Sequence, residues 1–464
     1  MTGSDHLLLT GRLAHSAAHD PRATLTWQLA LFLLVNIVLI NGMAWALSPG
    51  GFDDTALKQA WDMLRGVGGD DSWGPMSAAL NYLRAPSDKP LYSAVFFEQG
   101  VKFQYPPSAL FALEAMMLAG EDRVRTYDEM VFAGLPPVND LVGWAFIAIT
   151  ALCCAALLEV GLEKATGTPY RLDGLAALRA LIVIGFTLTF YPVVKAFTLG
   201  QIQLWINSLF AVTLLLFVAG RRIASGVVMG LICLMKPHYA LVALWAGLNR
   251  EWRFASALIA VGAAGVILSV WRYGLMNHFD YLSVLSFMSE RGESYHANQS
   301  VNGLLNRLAS LWHVEQTQNE TFDAYRFPPY TPWVYWGTLL SSAVILIAAF
   351  LRRSGPDTRA LAFALVIVSL TIASPIAWEH HYGVFLPAFA LMAGSFAGGG
   401  QWLVALAACY VFVSNYILAF NSLANTPLNV LQSYMLAGGL ILLALMHFCL
   451  PKLESNRPLL SQPK

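Results

Sequence analysis

Between Thr26 and Leu47 the chain runs for 22 residues without a charged side chain. As an α-helix that stretch is about 33 Å long, enough to cross a hydrocarbon layer of ~30 Å. Twelve more apolar segments follow, at approximately 107–120, 138–160, 175–193, 200–220, 223–235, 237–249, 253–274, 332–351, 359–374, 381–397, 400–419 and 430–450. Unpaired backbone groups cannot face lipid, so spanning elements are helices or closed barrels, and these runs lack the strict alternation of barrel strands. The expected fold class is an all-α polytopic membrane protein, one integral domain over residues 1–464. Two larger polar stretches interrupt it, 48–104 and 275–328.

Composition agrees. Only 12% of the residues are charged, against about 25% in a soluble domain. The formal net charge of zero argues against a nucleic-acid partner. Cys153, Cys154, Cys233, Cys409 and Cys449 all fall in apolar segments without a CxxC spacing, and read as small hydrophobes. The first run is too long for the core of a cleavable signal, so it reads as a retained helix behind a polar cytoplasmic tail carrying Arg12 and Arg22.

Basic residues beside short connections mark the cytoplasmic side: Arg221 and Arg222, Arg250 and Arg253, Arg352 and Arg353, then Lys452, Arg457 and Lys464. If Arg250 is inside, 253–274 crosses outward, 275–328 is an outer loop, and five further crossings return the C-terminus to the inside. Seven segments before Arg250 are one too many. The weakest is 107–120, about 14 residues against the ~20 a crossing needs, so it is expected to be re-entrant or to lie on the surface, leaving about 12 spans. The pair 223–235 and 237–249, split at Lys236-Pro237, is the other candidate for a dip that does not cross.

Side chains able to do chemistry sit at the ends of these runs. Asp70 and Asp71 lie in the first polar loop, where a carboxylate can act as general base for an attacking hydroxyl; on their own they are better explained as turn residues after glycine. Trp378, His380 and His381 follow Ser374-Pro375, where proline should end a helix. Imidazoles there can hold a phosphate oxygen or move a proton, and an interfacial aromatic belt explains the same residues. Lys236 inside a membrane segment suggests a cavity or an anionic partner, with snorkelling the competing explanation. Gln201 opens a helix whose free N–H groups can receive a ligand. Asn298, Gln299 and Arg307 in the second loop carry groups suited to hydroxyls and phosphate. The stretches 55–66 and 76–83 are amphipathic enough to lie at the membrane surface.

Taken in order, six motifs resemble glycosyltransferase family 87, of the GT-C superfamily of membrane glycosyltransferases that use polyprenyl-phosphate sugars. They are Asp71 in DDSWGPMSAA, FQYPP from Phe103 to Pro107, GQIQL from Gly200, Lys236-Pro237, NQSVNG from Asn298 with Arg307 beyond it, and SPIAWEHHY from Ser374. Two departures stand out. The aromatic residues expected soon after the loop aspartate are replaced by Ser72, Trp73, Gly74, Pro75 and Met76, and Gln203 stands where the family has Asn. The resemblance covers about residues 25–450 and implies a GT-C-type bundle in a bacterial cytoplasmic (inner) membrane, with its site on the extracytoplasmic side. It implies inverting transfer of a sugar, most often mannose, from a polyprenyl-phosphate carrier to a lipid or glycan acceptor. Asp71 would be the base, with Asp70 its alternate. His380, His381, Lys236, Arg307, Tyr105, Gln201, Asn298, Gln299 and Trp378 would be substrate contacts. No metal or cofactor is called for, because only a monophosphate leaves.

Two other function classes fit a many-helix chain. A secondary transporter or lipid-linked sugar flippase would also use Lys236, but has little need of a long outer loop with two acids. A scaffold without catalysis predicts that Asp71 is dispensable.

Overall fold

The structure, a computed structural model, describes residues 20–48, 50–51, 55–66, 68–120, 135–311, 327–424 and 426–455. Arg12, Arg457 and Lys464, expected to mark the cytoplasmic termini, lie outside these, as do most of the N-terminal tail and residues 312–326 of the second loop.

The first apolar run forms α1 (Pro21–Leu47). Asp20 caps it by accepting from the Arg22 N–H at 3.0 Å, and Pro21, which has no N–H to leave unpaired, sits at its first position. Its two buried asparagines are tied to other elements: Asn41 accepts from the Leu57 N–H at 3.1 Å, and Asn36 accepts from Asn415 at 2.9 Å. A polar side chain in an apolar run is tolerated here because each has a partner.

The rest of the described chain is mostly helical, its α-helices being α2 (Ala56–Leu64), α3 (Trp73–Arg84), α4 (Leu110–Gly120), α5 (Leu135–Thr166), α6 (Gly174–Thr189), α7 (Tyr191–Thr198), α8 (Gln203–Val218), α9 (Arg222–Met235), α10 (Val242–Leu248), α11 (Trp252–Tyr273), α12 (Leu275–Arg291), α13 (Val301–Ser310), α14 (Pro332–Phe350), α15 (Arg359–Ala373), α16 (Leu386–Ser395), α17 (Gly400–Ser414) and α18 (Tyr434–Ser455). Among the described residues, five helices are long and apolar enough to cross a membrane, and a sixth span results if α6 and α7 are one helix bent by 54°. The bend falls just before Pro192, which has no N–H to continue the ladder. The chain is a multi-pass membrane protein.

Glycines let helices approach backbone to backbone. A Cβ on Gly394 of α16 would stand 2.1 Å from the Leu158 carbonyl oxygen of α5, and one on Gly226 of α9 would stand 2.3 Å from that of Phe254 on α11. Small residues are what close helix packing in lipid requires. All five cysteines are free and buried.

The short helices α8, α9 and α15 give the fold its polarity. At one end Glu251 accepts from Arg222 at 2.8 Å and from Arg359 at 3.2 Å, gathering three arginine-bearing connections. At the other end the start of α8 and the last turns of α9 and α15 converge on one cavity. At 14 to 16 residues each is only about 21–24 Å long; they stop at the cavity. The chain before and after α4 is also at that end: Tyr105 lines the cavity, and Asn139 of α5 accepts from Trp73, two residues past Asp71, at 2.8 Å.

Both polar stretches read as loops contain helices, α2 and α3 in the first and α12 and α13 in the second. α2 and α3 fall on the stretches 55–66 and 76–83 read as amphipathic, whereas α12 and α13, with apolar residues on one face only, are averaged with their polar face in a hydropathy window.

Candidate active site

The site begins where the first loop docks on the turn before α8. Asp71 and Ser72 donate backbone N–H bonds to the carbonyls of Leu199 and Gly200, at 2.9 and 3.4 Å. Gly200 has φ +67°, and a Cβ there would land 1.7 Å from the Gly69 carbonyl oxygen. Only glycine allows both the backbone turn and the contact.

That docking delivers Asp71 to Gln201. The Gln201 Nε2 donates to Asp71 Oδ2. Its Oε1 accepts from Ser72 Oγ at 2.7 Å and from Tyr105 OH at 3.1 Å, while Ser72 Oγ accepts the Ile202 N–H at 3.0 Å. With two hydroxyls on its carbonyl side, the amide presents its NH₂ group to the carboxylate. Tyr105 is itself held by Tyr92, whose OH donates to the Tyr105 carbonyl at 2.6 Å and whose ring stacks on Phe103. FQYPP and GQ are thus parts of one support for Asp71.

The opposite wall is cationic and aromatic. Pro237 follows the last turn of α9, and Pro375 follows the end of α15, leaving Lys236 and the Trp378–His381 segment at the cavity. Lys236 Nζ lies 2.6 Å from His381 Nε2, and the His380 and His381 rings meet edge to face with centroids 4.7 Å apart. Lys102 projects from the first-loop side, ion-paired with the buried Glu293 and set between the Phe327 and Trp378 rings at 5.2 and 5.1 Å. Trp378 Nε1 donates to the other Glu293 oxygen at 2.5 Å. The cavity between the walls has a volume of about 820 Å³.

Seven of the eleven residues singled out in the sequence line this cavity: Asp71, Tyr105, Gln201, Lys236, Trp378, His380 and His381. Four do not. Asp70 stands beside Asp71 with a buried, unpartnered Oδ2. Asn298 Oδ1 accepts the Ala377 N–H at 3.0 Å, and the Gln299 and Glu379 N–H groups donate to the Ala377 and Ala297 carbonyls at 2.8 and 3.0 Å. The Gln299 side chain donates to the His296 and Gln432 carbonyls, both at 2.6 Å. Arg307 is fully buried and donates to the carbonyls of Ser294, Tyr295 and Asn298 and to Ser433 Oγ. NQSVNG and Arg307 therefore clamp the segment that carries Trp378, His380 and His381 in place. The sequence reading missed Lys102 and His238, both on the cavity wall. The signal for His238 was its place two residues beyond the membrane-buried Lys236; Lys102 had only its adjacency to FQYPP.

Burial raises the Asp71 pKa from its ordinary carboxylate value; the Gln201 hydrogen bond and the charges of Lys102 and Lys195 pull the other way. Asp70 is also raised by burial. Among the described residues no three His, Cys, Asp or Glu side chains gather as a metal site would need. A second, apolar groove of about 260 Å³ lies between α1, α6, α16 and α17, away from these groups.

A carboxylate faces a cationic wall across a large cavity. The sequence model of Glycosyltransferase family 87 matches residues 103–375. This chain belongs to glycosyltransferase family 87. It is a membrane glycosyltransferase. The match takes in Tyr105, Gln201 and Lys236; Asp71, His380 and His381 fall outside it. No curated protein matches the chain. Among solved structures it is similar to ArnT from Cupriavidus metallidurans bound to undecaprenyl phosphate, at 12% identity and TM-score 0.32, over 84% of this chain and 75% of that one.

The support of Asp71 predicts a pH effect. If the carboxylate must be ionised for turnover, activity falls as pH drops through its raised pKa. Gln201→Leu removes the hydrogen bond that favours the ionised form, so the acid limb of the kcat/KM profile moves to higher pH than in the unmodified enzyme. An unmoved limb would separate Asp71 from the titration.

Proposed function

We infer that this family 87 enzyme transfers a sugar, mannose in the first instance, from a polyprenyl-phosphate carrier to the hydroxyl of a lipid or glycan acceptor. The observation that carries this reading is that one supported carboxylate, Asp71, shares a cavity with Lys236, Lys102, His380 and His381. A base and a phosphate-sized cluster of donors are the two things such a transfer needs.

The Asp71 carboxylate takes the acceptor O–H proton as that oxygen bonds to the anomeric carbon. The bond from that carbon to the phosphate oxygen breaks on the opposite face, inverting the configuration. The polyprenyl phosphate leaves with the bonding pair, and its added negative charge is met by ammonium and imidazole donors, so no separate acid is required. In the tautomer in which Lys236 donates to His381 Nε2, the neutral His381 ring carries its proton on Nδ1. Asp70 is the alternate base, and Trp378 and Tyr105 shape the sugar's side of the cavity.

The cavity belongs to the end opposite the Arg222, Glu251 and Arg359 cluster. Basic connections favour the cytoplasm, which supports an extracytoplasmic site in a bacterial inner membrane, with about 12 spans in one integral domain and 48–104 and 275–328 as its two outer loops. A transporter or flippase would use the same cations but leaves the Gln201, Ser72 and Tyr105 support of Asp71 without a purpose.

His381→Ala in proteoliposomes supplied with polyprenyl-phosphate mannose tests the cationic wall. The apparent KM for the donor should rise by about tenfold, the loss of one charge-assisted hydrogen bond of ~1.5 kcal/mol, with little change in the acceptor constant. Equal changes in both would contradict a phosphate contact.

A further inference from the structure

α12 is amphipathic in a way that the cavity alone does not explain. Its inward face is pinned by polar contacts: Asn277 accepts the Leu91 N–H at 2.8 Å, and Asp280 accepts from the Tyr92 N–H, the Ser93 N–H and Ser93 Oγ at 2.7–2.8 Å. On that same face Val284 is buried, and Tyr281 lines the cavity and donates to the Gln104 carbonyl at 3.3 Å. The opposite face is apolar and uncovered. Leu275, Met276, Phe279 and Leu282 are 53–66% exposed, and Leu285 is 40% exposed.

The apolar face has two neighbours along the chain. Just before α12 come the exposed Ile267, Leu268 and Trp271 of α11, a helix apolar enough to span the membrane. Towards the end of α12, Leu285 belongs both to the apolar face and to the cavity wall, followed there by Ser286 and Ser289. The helix thus changes from apolar to polar at the cavity mouth. From Leu285 back to Leu275 the uncovered track is about 15 Å long.

We propose that this face of α12 is the track for the isoprenoid chain of the carrier lipid, which lies along Leu275, Phe279, Leu282 and Leu285 while its phosphate enters the cavity. The inference rests on the polyprenyl-phosphate reading above and adds the wall by which the lipid leaves the site. An uncharged, branched hydrocarbon suits a row of Leu and Phe with no hydrogen-bonding group to satisfy. Ordering by the helix also holds the phosphate end at the cations, so chain contacts contribute to positioning at the reacting centre.

Photolabelling separates the outcomes. The full chain in nanodiscs is irradiated with undecaprenyl phosphate bearing a diazirine within the chain, and labelled peptides are mapped with and without about a tenfold excess of unlabelled undecaprenyl phosphate. Label on residues 275–285 that is lost on competition is the expected result, and Phe279→Lys with Leu282→Lys should abolish it. Competed label on another element, such as the apolar groove between α1 and α17, would overturn the track and leave the donor reading intact. Label on α12 that resists competition, as a diazirine phosphatidylcholine would give, marks contact with bulk lipid and also overturns it. No competed label anywhere would remove the donor reading itself.

Discussion

Asp71→Asn is expected to lower the turnover of sugar transfer by about 10²–10⁴, the range a positioned general base supplies, while leaving the fold and the donor KM unchanged. Structural neutrality follows from the contacts. Gln201 Nε2 donates to Asp71 Oδ2, and an asparagine carbonyl accepts the same bond. The backbone N–H that ties residue 71 to Leu199 is unaffected. What disappears is the group able to take a proton. Asp70→Asn, whose side chain does not line the cavity, should retain most of the activity and serves as the control. If Asp71→Asn turns over normally and Asp70→Asn is dead, the base is the neighbour; if both are normal, no acid–base role survives. The measurement is initial-rate transfer from polyprenyl-phosphate mannose, with thermal unfolding of each variant run alongside.

How far the site was legible in the sequence depended on where each residue sits relative to a chain break. Gln201, Lys236 and Trp378–His381 each stand beside a glycine or proline that ends or starts a helix, and such breaks are visible as composition. Ends of short helices meeting in one place are what a cavity inside a membrane bundle requires, so those motifs were readable as site residues. Lys102 was not, because its meaning lies in Glu293, 191 positions later, and in two aromatic rings that only folding brings to it. α12 was hidden for another reason: with Asn277 and Asp280 on one face and Phe279 and Leu282 on the other, its average hydropathy is that of a loop. Asn298 and Gln299 misled in the opposite direction. Amides suggest hydroxyl ligands, yet here they satisfy backbone groups at Ala377 and in residues 432–436.

Arg307 is the sharpest case of that ambiguity and yields the second large effect. A guanidinium near a phosphate-using site invites assignment as a ligand contact, but this one is wholly inside the protein, and its donors end on three carbonyls and a serine. Its own carbonyl accepts from Asn429 at 2.8 Å, so the 429–433 turn hangs on it as well. Arg307→Ala would take the guanidinium's hydrogen bonds from the Ser294 and Asn298 carbonyls, while the Tyr295 carbonyl keeps the Asn298 N–H at 2.9 Å; at about 1–3 kcal/mol for each buried group left unsatisfied, a loss of roughly 2–5 kcal/mol of stability is expected. Arg307→Lys should rescue little, since an ammonium on a flexible stem cannot reproduce a planar fork aimed at three fixed acceptors. Thermal unfolding of both variants, together with donor KM on the folded fraction, decides between the roles. A brace gives early unfolding and an unchanged donor KM. A stable protein with a donor KM raised tenfold or more would instead make the arginine a phosphate ligand, and would require the loop from Ser294 to Asn298 to open towards the cavity during turnover.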